Sequence, residues 1–107
     1  MRIKLKNGAK LNDLKAEMVF VILSVAEVFK ELGLKELVVT EGTGGKHKQG
    51  SQHYNGLGLD IRSKNIPSKL KHKIVDLVKE DLGKDYYIFL EAEGSVNEHF
   101  HLQKNKT

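Results

Sequence analysis

The chain has no cysteine. No disulfide can staple it and no thiolate can hold a metal, so iron–sulfur chemistry is excluded and an ion must be held mainly by His, Asp or Glu. Long apolar runs are also missing. Met18–Leu23 is an unbroken apolar segment, but Glu17, Glu27 and Lys30 flank it closely, and a bilayer span needs about twenty apolar residues. It reads as a core helix, and no membrane insertion is expected. The N-terminus, Met-Arg-Ile-Lys-Leu-Lys, alternates charge with apolar residues and does not lead a charged end into an apolar block, so no export signal is expected. No dense arginine stripe with interleaved aromatics accompanies the net charge of +4, so no nucleic-acid partner is expected. Repeats, linkers and low-complexity segments are absent. One domain over residues 1–107 is the expectation, and a monomer.

What is present is a soluble globular balance, 39% hydrophobic and 30% charged. The lysines serve solubility, and a basic surface would also suit a polyanionic substrate such as a bacterial wall. Residues 2–5 alternate as a short edge strand with one buried face. Asn12 or Asp13 can cap a helix running to about Glu31. Its apolar stripe, from Leu14 through Met18, Val21, Ile22, Val25, Val28 and Phe29 to Leu32, is broadened by Val19, Phe20 and Leu23, which predicts burial on more than one side. Gly33 reads as its C-cap. Leu37–Thr40 reads as a core strand, and Glu41–Gly50 as loop. Ser63 or Asn65, with Pro67, starts a second helix over 68–82 that Gly83 ends. Tyr86–Glu91 and His99–Gln103 read as a hairpin with its loop at Ala92–Asn97, and the last four residues as a fraying tail. The order predicts an α+β fold, a small antiparallel or mixed sheet with two helices packed on it.

Two polar stretches carry chemistry. In Ser51-Gln-His53-Tyr-Asn-Gly56-Leu-Gly58-Leu-Asp60-Ile-Arg62, a histidine and an aspartate stand seven positions apart, with glycines that let the backbone turn between them. Leu59 and Ile61 would anchor the segment as a strand. In Glu98-His99-Phe-His101, the i and i+2 imidazoles share one strand face. If the hairpin pairs 91 with 99, Glu91 joins them. Three polar groups on an inner face are costly unless they serve each other or a ligand. A catalytic zinc takes about three protein ligands and an open position; His53, Asp60 and His101 would supply them. Ser51 could hydrogen-bond within the loop or orient a ligand. Taken singly, a His-x-His pair is more often a surface or structural pair, and His72 among lysines is a solvated residue.

The stretch from Thr40-Glu-Gly through Lys46-His47 and Ser51-x-His53 to Gly56-x-Gly58-x-Asp60, together with the terminal His99-x-His101, resembles the zinc-site region of hedgehog signalling domains. It is equally similar to the Ser-x-His…Asp signature of D-alanyl-D-alanine carboxypeptidases and L-alanyl-D-glutamate endopeptidases, which share that fold and ligand set. The resemblance spans roughly residues 35–62 and 86–103. It implies one zinc ion on His53, Asp60 and His101, with His47 and His99 as auxiliary histidines. It implies hydrolysis of peptidoglycan stem peptides. The catalytic glutamate is Glu98 by the wall-peptidase spacing or Glu91 by the hedgehog-like one; strand alternation points Glu98 away from His101 and favours Glu91. His99 or His47 would donate to the developing oxyanion. The acidic calcium loop of hedgehog domains is replaced by Gly42–Lys46, so no such calcium site is expected. The Gly-Tyr-Arg segment of the wall peptidases is missing, and Arg62 or Lys46 could stand in for a substrate-carboxylate arginine. A zinc-bearing module without turnover, or a metal-free nucleic-acid-binding domain, are the competing readings. Cytoplasmic synthesis without export is expected, as in a phage enzyme released to the wall or a cytoplasmic enzyme acting on recycled wall peptides.

Overall fold

The computed structural model describes residues 1–106. Two helices, α1 (Ala16–Glu31) and α2 (Ser68–Leu82), pack on one face of a five-stranded mixed sheet. The strands are β1 (Arg2–Leu5), β2 (Glu36–Glu41), β3 (Gly58–Arg62), β4 (Tyr86–Glu91) and β5 (His99–Lys104), in the spatial order β1-β2-β3-β5-β4. β1 and β2 are parallel, joined through α1; every other pair is antiparallel. The α+β class and the two helices are as the sequence predicts.

Strand alternation sorts the sheet into an oily face and a polar one. Leu59 and Ile61 of β3, Phe100 and Leu102 of β5, and Ile88 of β4 point to the helices and are fully buried. They meet Met18, Val25 and Phe29 of α1 and Ile74 and Val78 of α2 in one cluster. Phe29 and Phe100 pack edge to face with centroids 6.4 Å apart. Each such side chain contributes about 1.5–3 kcal/mol when removed from water. Asp60, Arg62, His99, His101 and Glu91 take the alternate positions, so the same period-2 pattern that builds the core delivers them to the face without helices.

Several details depart from expectation. Val19, Phe20 and Leu23 do not broaden the buried stripe; they lie on the outer face of α1, with Phe20 71% exposed. A two-layer fold gives α1 only one buried side. β1 is an edge strand, yet Ile3 and Leu5 stay about half exposed because no helix covers the sheet there. Neither helix has a side-chain cap. α1 begins at Ala16, after Asp13 in a left-handed conformation, because residues 10–15 are drawn against the neighbouring loops: Lys15 N donates to Gly56 O and Thr43 N to Lys10 O. Ser63 is fully buried and donates to Glu98 instead of capping α2. Residues 104–106, expected as part of a fraying tail, are bonded to the rest of the fold. Lys104 continues β5, Asn105 bonds the backbone at Lys84 and Asp85, and Lys106 reaches Gly50 O. Thr107 lies outside the described residues.

Candidate metal centre

Four elements bring the site together on the polar face. Asp60 is at the middle of β3, directly opposite His101 on β5, while Arg62 faces His99 and His99 faces Glu91 of β4. His53 comes from a short 3₁₀ turn, Gln52–Asn55, laid across the end of the sheet. Ser51 caps that turn by accepting from His53 N at 3.1 Å. The turn packs tightly on β3 because Gly58 has no side chain: a Cβ there would lie 2.8 Å from His53 N. Gly56 closes the turn with φ of 72°, and a Cβ on it would stand 2.3 Å from Asp13 O. Both glycines are therefore required by the path of the chain, one by close approach and one by conformation as well.

Asp60 Oδ1 is the focus of three imidazoles. His101 Nδ1 lies 3.1 Å away, His53 Nε2 3.2 Å and His99 Nε2 3.6 Å. The other ring nitrogen of each histidine has an oxygen partner. His53 Nδ1 donates to Gly42 O at 2.6 Å, His99 Nδ1 to Asn97 O at 2.7 Å, and His101 Nε2 to Gln103 Oε1 at 2.8 Å. Those oxygens accept, so the outer nitrogens carry the hydrogens. In a neutral ring the inner nitrogen then presents a lone pair. Three lone pairs directed at one carboxylate oxygen repel unless the rings are protonated or a cation lies among them. Protonating all three would place three positive rings around one carboxylate. A single divalent ion satisfies the same groups with less charge.

The spacing agrees. Tetrahedral coordination at about 2.0–2.1 Å puts ligand atoms roughly 3.3 Å apart, and the three nitrogen–oxygen distances, 3.1, 3.2 and 3.6 Å, bracket that edge. The candidate ligand atoms fall into two overlapping groups, His47, His53 and Asp60, and Asp60, His99 and His101, each within 4.8 Å of one another. These residues are positioned to bind a metal ion with Asp60 shared, and the expected trio of His53, Asp60 and His101 draws on both groups. His53 and His101 are buried and Asp60 partly so. Burial alone would raise the Asp60 carboxyl, but in the absence of an ion, hydrogen bonds from His101 and His53 and positive charge at His53 and His99 outweigh it and hold the group far below the usual carboxylate range. Burial likewise opposes charge on His101, yet Asp60 and Gln103 raise its pKa above the ordinary value.

His47 stacks flat on His53 with ring centroids 3.8 Å apart. Its Nε2 donates to Gly44 O, and its backbone N–H and carbonyl both bond the Tyr54 hydroxyl. It buttresses the His53 ring and lies within ligand distance of His53 and Asp60. Glu91 Oε1 is 3.2 Å from His99 Nε2, half-exposed at the lip of a cleft of about 530 Å³ that has the cluster as its floor and Phe89 in its wall. Glu98 is elsewhere. Its Oε1 accepts from Ser63 Oγ at 2.6 Å and from Lys71 Nζ, and its Oε2 from Gly94 N at 3.0 Å. Lys71 above all, then Ser63 and Gly94, hold its carboxyl down at about 2. The structure brings Glu91 to the cluster and does not bring Glu98. Arg62 is partly buried and lines a second cleft beside Asp60 and His99. His72 is exposed and pairs with Glu93 at 2.7 Å.

Sequence reasoning missed the groups that orient the rings. Gln103 was within reach, since His99, His101 and Gln103 repeat at the strand period. The carbonyls of Gly42, Gly44 and Asn97, and the Tyr54 clamp on His47, leave no side-chain signal to read. Compared with known proteins, the chain matches no protein-family model and no curated protein.

Proposed function

We propose that this chain is a zinc-dependent peptidase acting on peptidoglycan stem peptides, with the fold shared by hedgehog signalling domains and the zinc wall peptidases. The observation that carries the reading is the convergence of His53, His99 and His101 on Asp60, beside a half-exposed carboxylate, Glu91. Imidazole and carboxylate without thiolate suit zinc. His53, Asp60 and His101 would hold the ion. When bound, zinc polarises a scissile carbonyl and lowers the pKa of water to about 7.

The chain's own groups supply the rest. Glu91 takes the proton of the attacking water and returns it to the leaving amine. His99, whose Nε2 lies between Asp60 and Glu91, holds that carboxylate over the cluster. Glu98 has no part in proton transfer, because its carboxylate is occupied by Lys71 and Ser63.

The test is release of free amino groups from purified bacterial walls by the zinc-loaded protein, with Glu91→Gln as the control. Stoichiometric zinc binding without release would defeat the peptidase reading. That outcome would favour a zinc-bearing binding module, a reading supported by the sequestering of Glu98, the glutamate at the wall-peptidase spacing.

A further inference from the structure

Two clefts meet at the metal cluster. The first, of about 530 Å³, contains Glu91 and carries Lys46 and Lys48 on its rim. The second, of about 450 Å³, is lined by Lys6, Arg62 and Lys64. Asp60 and His99 belong to the walls of both. The sheet register sets the direction: Arg62, His99 and Glu91 form one row across β3, β5 and β4, so the clefts lie on opposite sides of His99.

Among the described residues, none of these five cations forms an ion pair. The acidic groups in the clefts are already committed. Asp60 serves the imidazoles, Glu91 pairs with His99, and Glu98 is tied to Lys71 and Ser63. Lys73 and Lys79 of α2 likewise form no ion pair, but Asp76, Glu80 and Asp81 are interspersed with them on that helix. Unpaired positive charge therefore flanks the metal cluster on both sides. Arg62, partly buried, also offers a planar fork suited to a carboxylate.

We propose that the two clefts form one cationic trough with the metal cluster at its middle, and that the substrate is a linear peptide with an anionic group on each side of the bond it presents. Residues beyond the bond in both directions then have a charged anchor. That is the arrangement for cutting within a chain; removal of a terminal residue needs one anchor only. The inference rests on the peptidase reading for its bond, and on the placement of the cations for its polarity.

The test uses the zinc-loaded full chain with Glu91→Gln to keep the probe intact. The probes are acetyl-Glu-Ala-Ala-Glu-amide and its versions with Gln at the first, the last or both acidic positions. Affinity is read by calorimetry at low salt. Each lost carboxylate should weaken binding about threefold to fivefold, the scale of a partly exposed ion pair. Lys46→Gln/Lys48→Gln should abolish the dependence on charge at one end of the peptide, and Arg62→Gln/Lys64→Gln at the other. Equal weakening of all four peptides by both double variants would mean only general attraction to a positive chain and would overturn the trough, as would indifference to the peptide charges. The crossed pattern without amino-group release from walls by the native chain would uphold the trough and overturn the peptidase reading. Release without the crossed pattern would do the reverse.

Discussion

His53 turns its Nε2 toward Asp60 Oδ1 at 3.2 Å while its Nδ1 donates to the Gly42 carbonyl at 2.6 Å. A neutral ring held this way directs a lone pair at a carboxylate, an arrangement that a cation between the two groups turns from repulsive to attractive. A ligand that binds only the folded chain stabilises it, by about 4 kcal/mol at a thousandfold excess over Kd. At about 4 °C or more per kcal/mol for a domain of this size, zinc should raise Tm by on the order of 15 °C and a chelator should reverse it. Thermal melts with and without chelator check this.

The two glutamates should separate cleanly. Glu91→Gln should leave zinc affinity and Tm nearly unchanged while lowering kcat on wall peptides by about 10²–10⁴, the usual contribution of a general base. Glu98→Ala should act on the fold instead. It leaves Lys71, only 14% exposed, without its partner, at a cost of roughly 1.5–3 kcal/mol. Urea unfolding together with steady-state kinetics on both variants makes the comparison.

These two residues also mark the boundary of what was legible. The two-residue period puts His99 and His101 on one face, and a pairing of 91 with 99, conditional in the sequence and present in the structure, adds Glu91. The register that sets Asp60 of β3 opposite His101 is a long-range pairing with no signal in the sequence. The fate of Glu98 could not be read in advance either. Motif spacing argued for the site and alternation against it, and what decides is a long-range contact with Lys71 on α2 and Ser63 after β3. The same capture removed Ser63 from the helix cap its sequence suggests. Val19, Phe20 and Leu23 failed for a simpler reason. Their apolarity is real, but the burial of a helix depends on how many layers surround it, and this fold has two.

The acid limb of stability should carry the signature of Glu98. Its carboxyl is depressed from the ordinary 4.5 to about 2 by Lys71, Ser63 and Gly94. A depressed carboxyl stabilises the fold above its unfolded pKa and loses that contribution as pH falls through the folded value. The stability gap between the native chain and Glu98→Gln should be flat above about pH 5 and should close as pH drops from 4.5 toward 2. Urea midpoints of both proteins across that range measure it. A gap that is constant down to pH 2 would mean that Glu98 is not held as a carboxylate.

Gly56 should resist replacement. Its φ of 72° and the 2.3 Å approach of a Cβ to Asp13 O oppose any side chain. Gly56→Ala should cost roughly 1–3 kcal/mol for the conformation alone. Because Gly56 closes the turn that carries His53, the substitution should also weaken zinc binding. Gly94→Ala, at the hairpin tip with open space around it, should cost stability for the same left-handed conformation but leave zinc affinity intact. Melting and zinc titration of the two variants distinguish them.

Calorimetric titration of the chelator-stripped chain with zinc tests the metal centre most directly. One equivalent should bind to the native protein, and binding should be lost in Asp60→Ala, which removes the oxygen that all three imidazoles face. No saturable binding by the native chain, or undiminished binding by Asp60→Ala, would contradict the assignment of His53, Asp60 and His101 as a metal site.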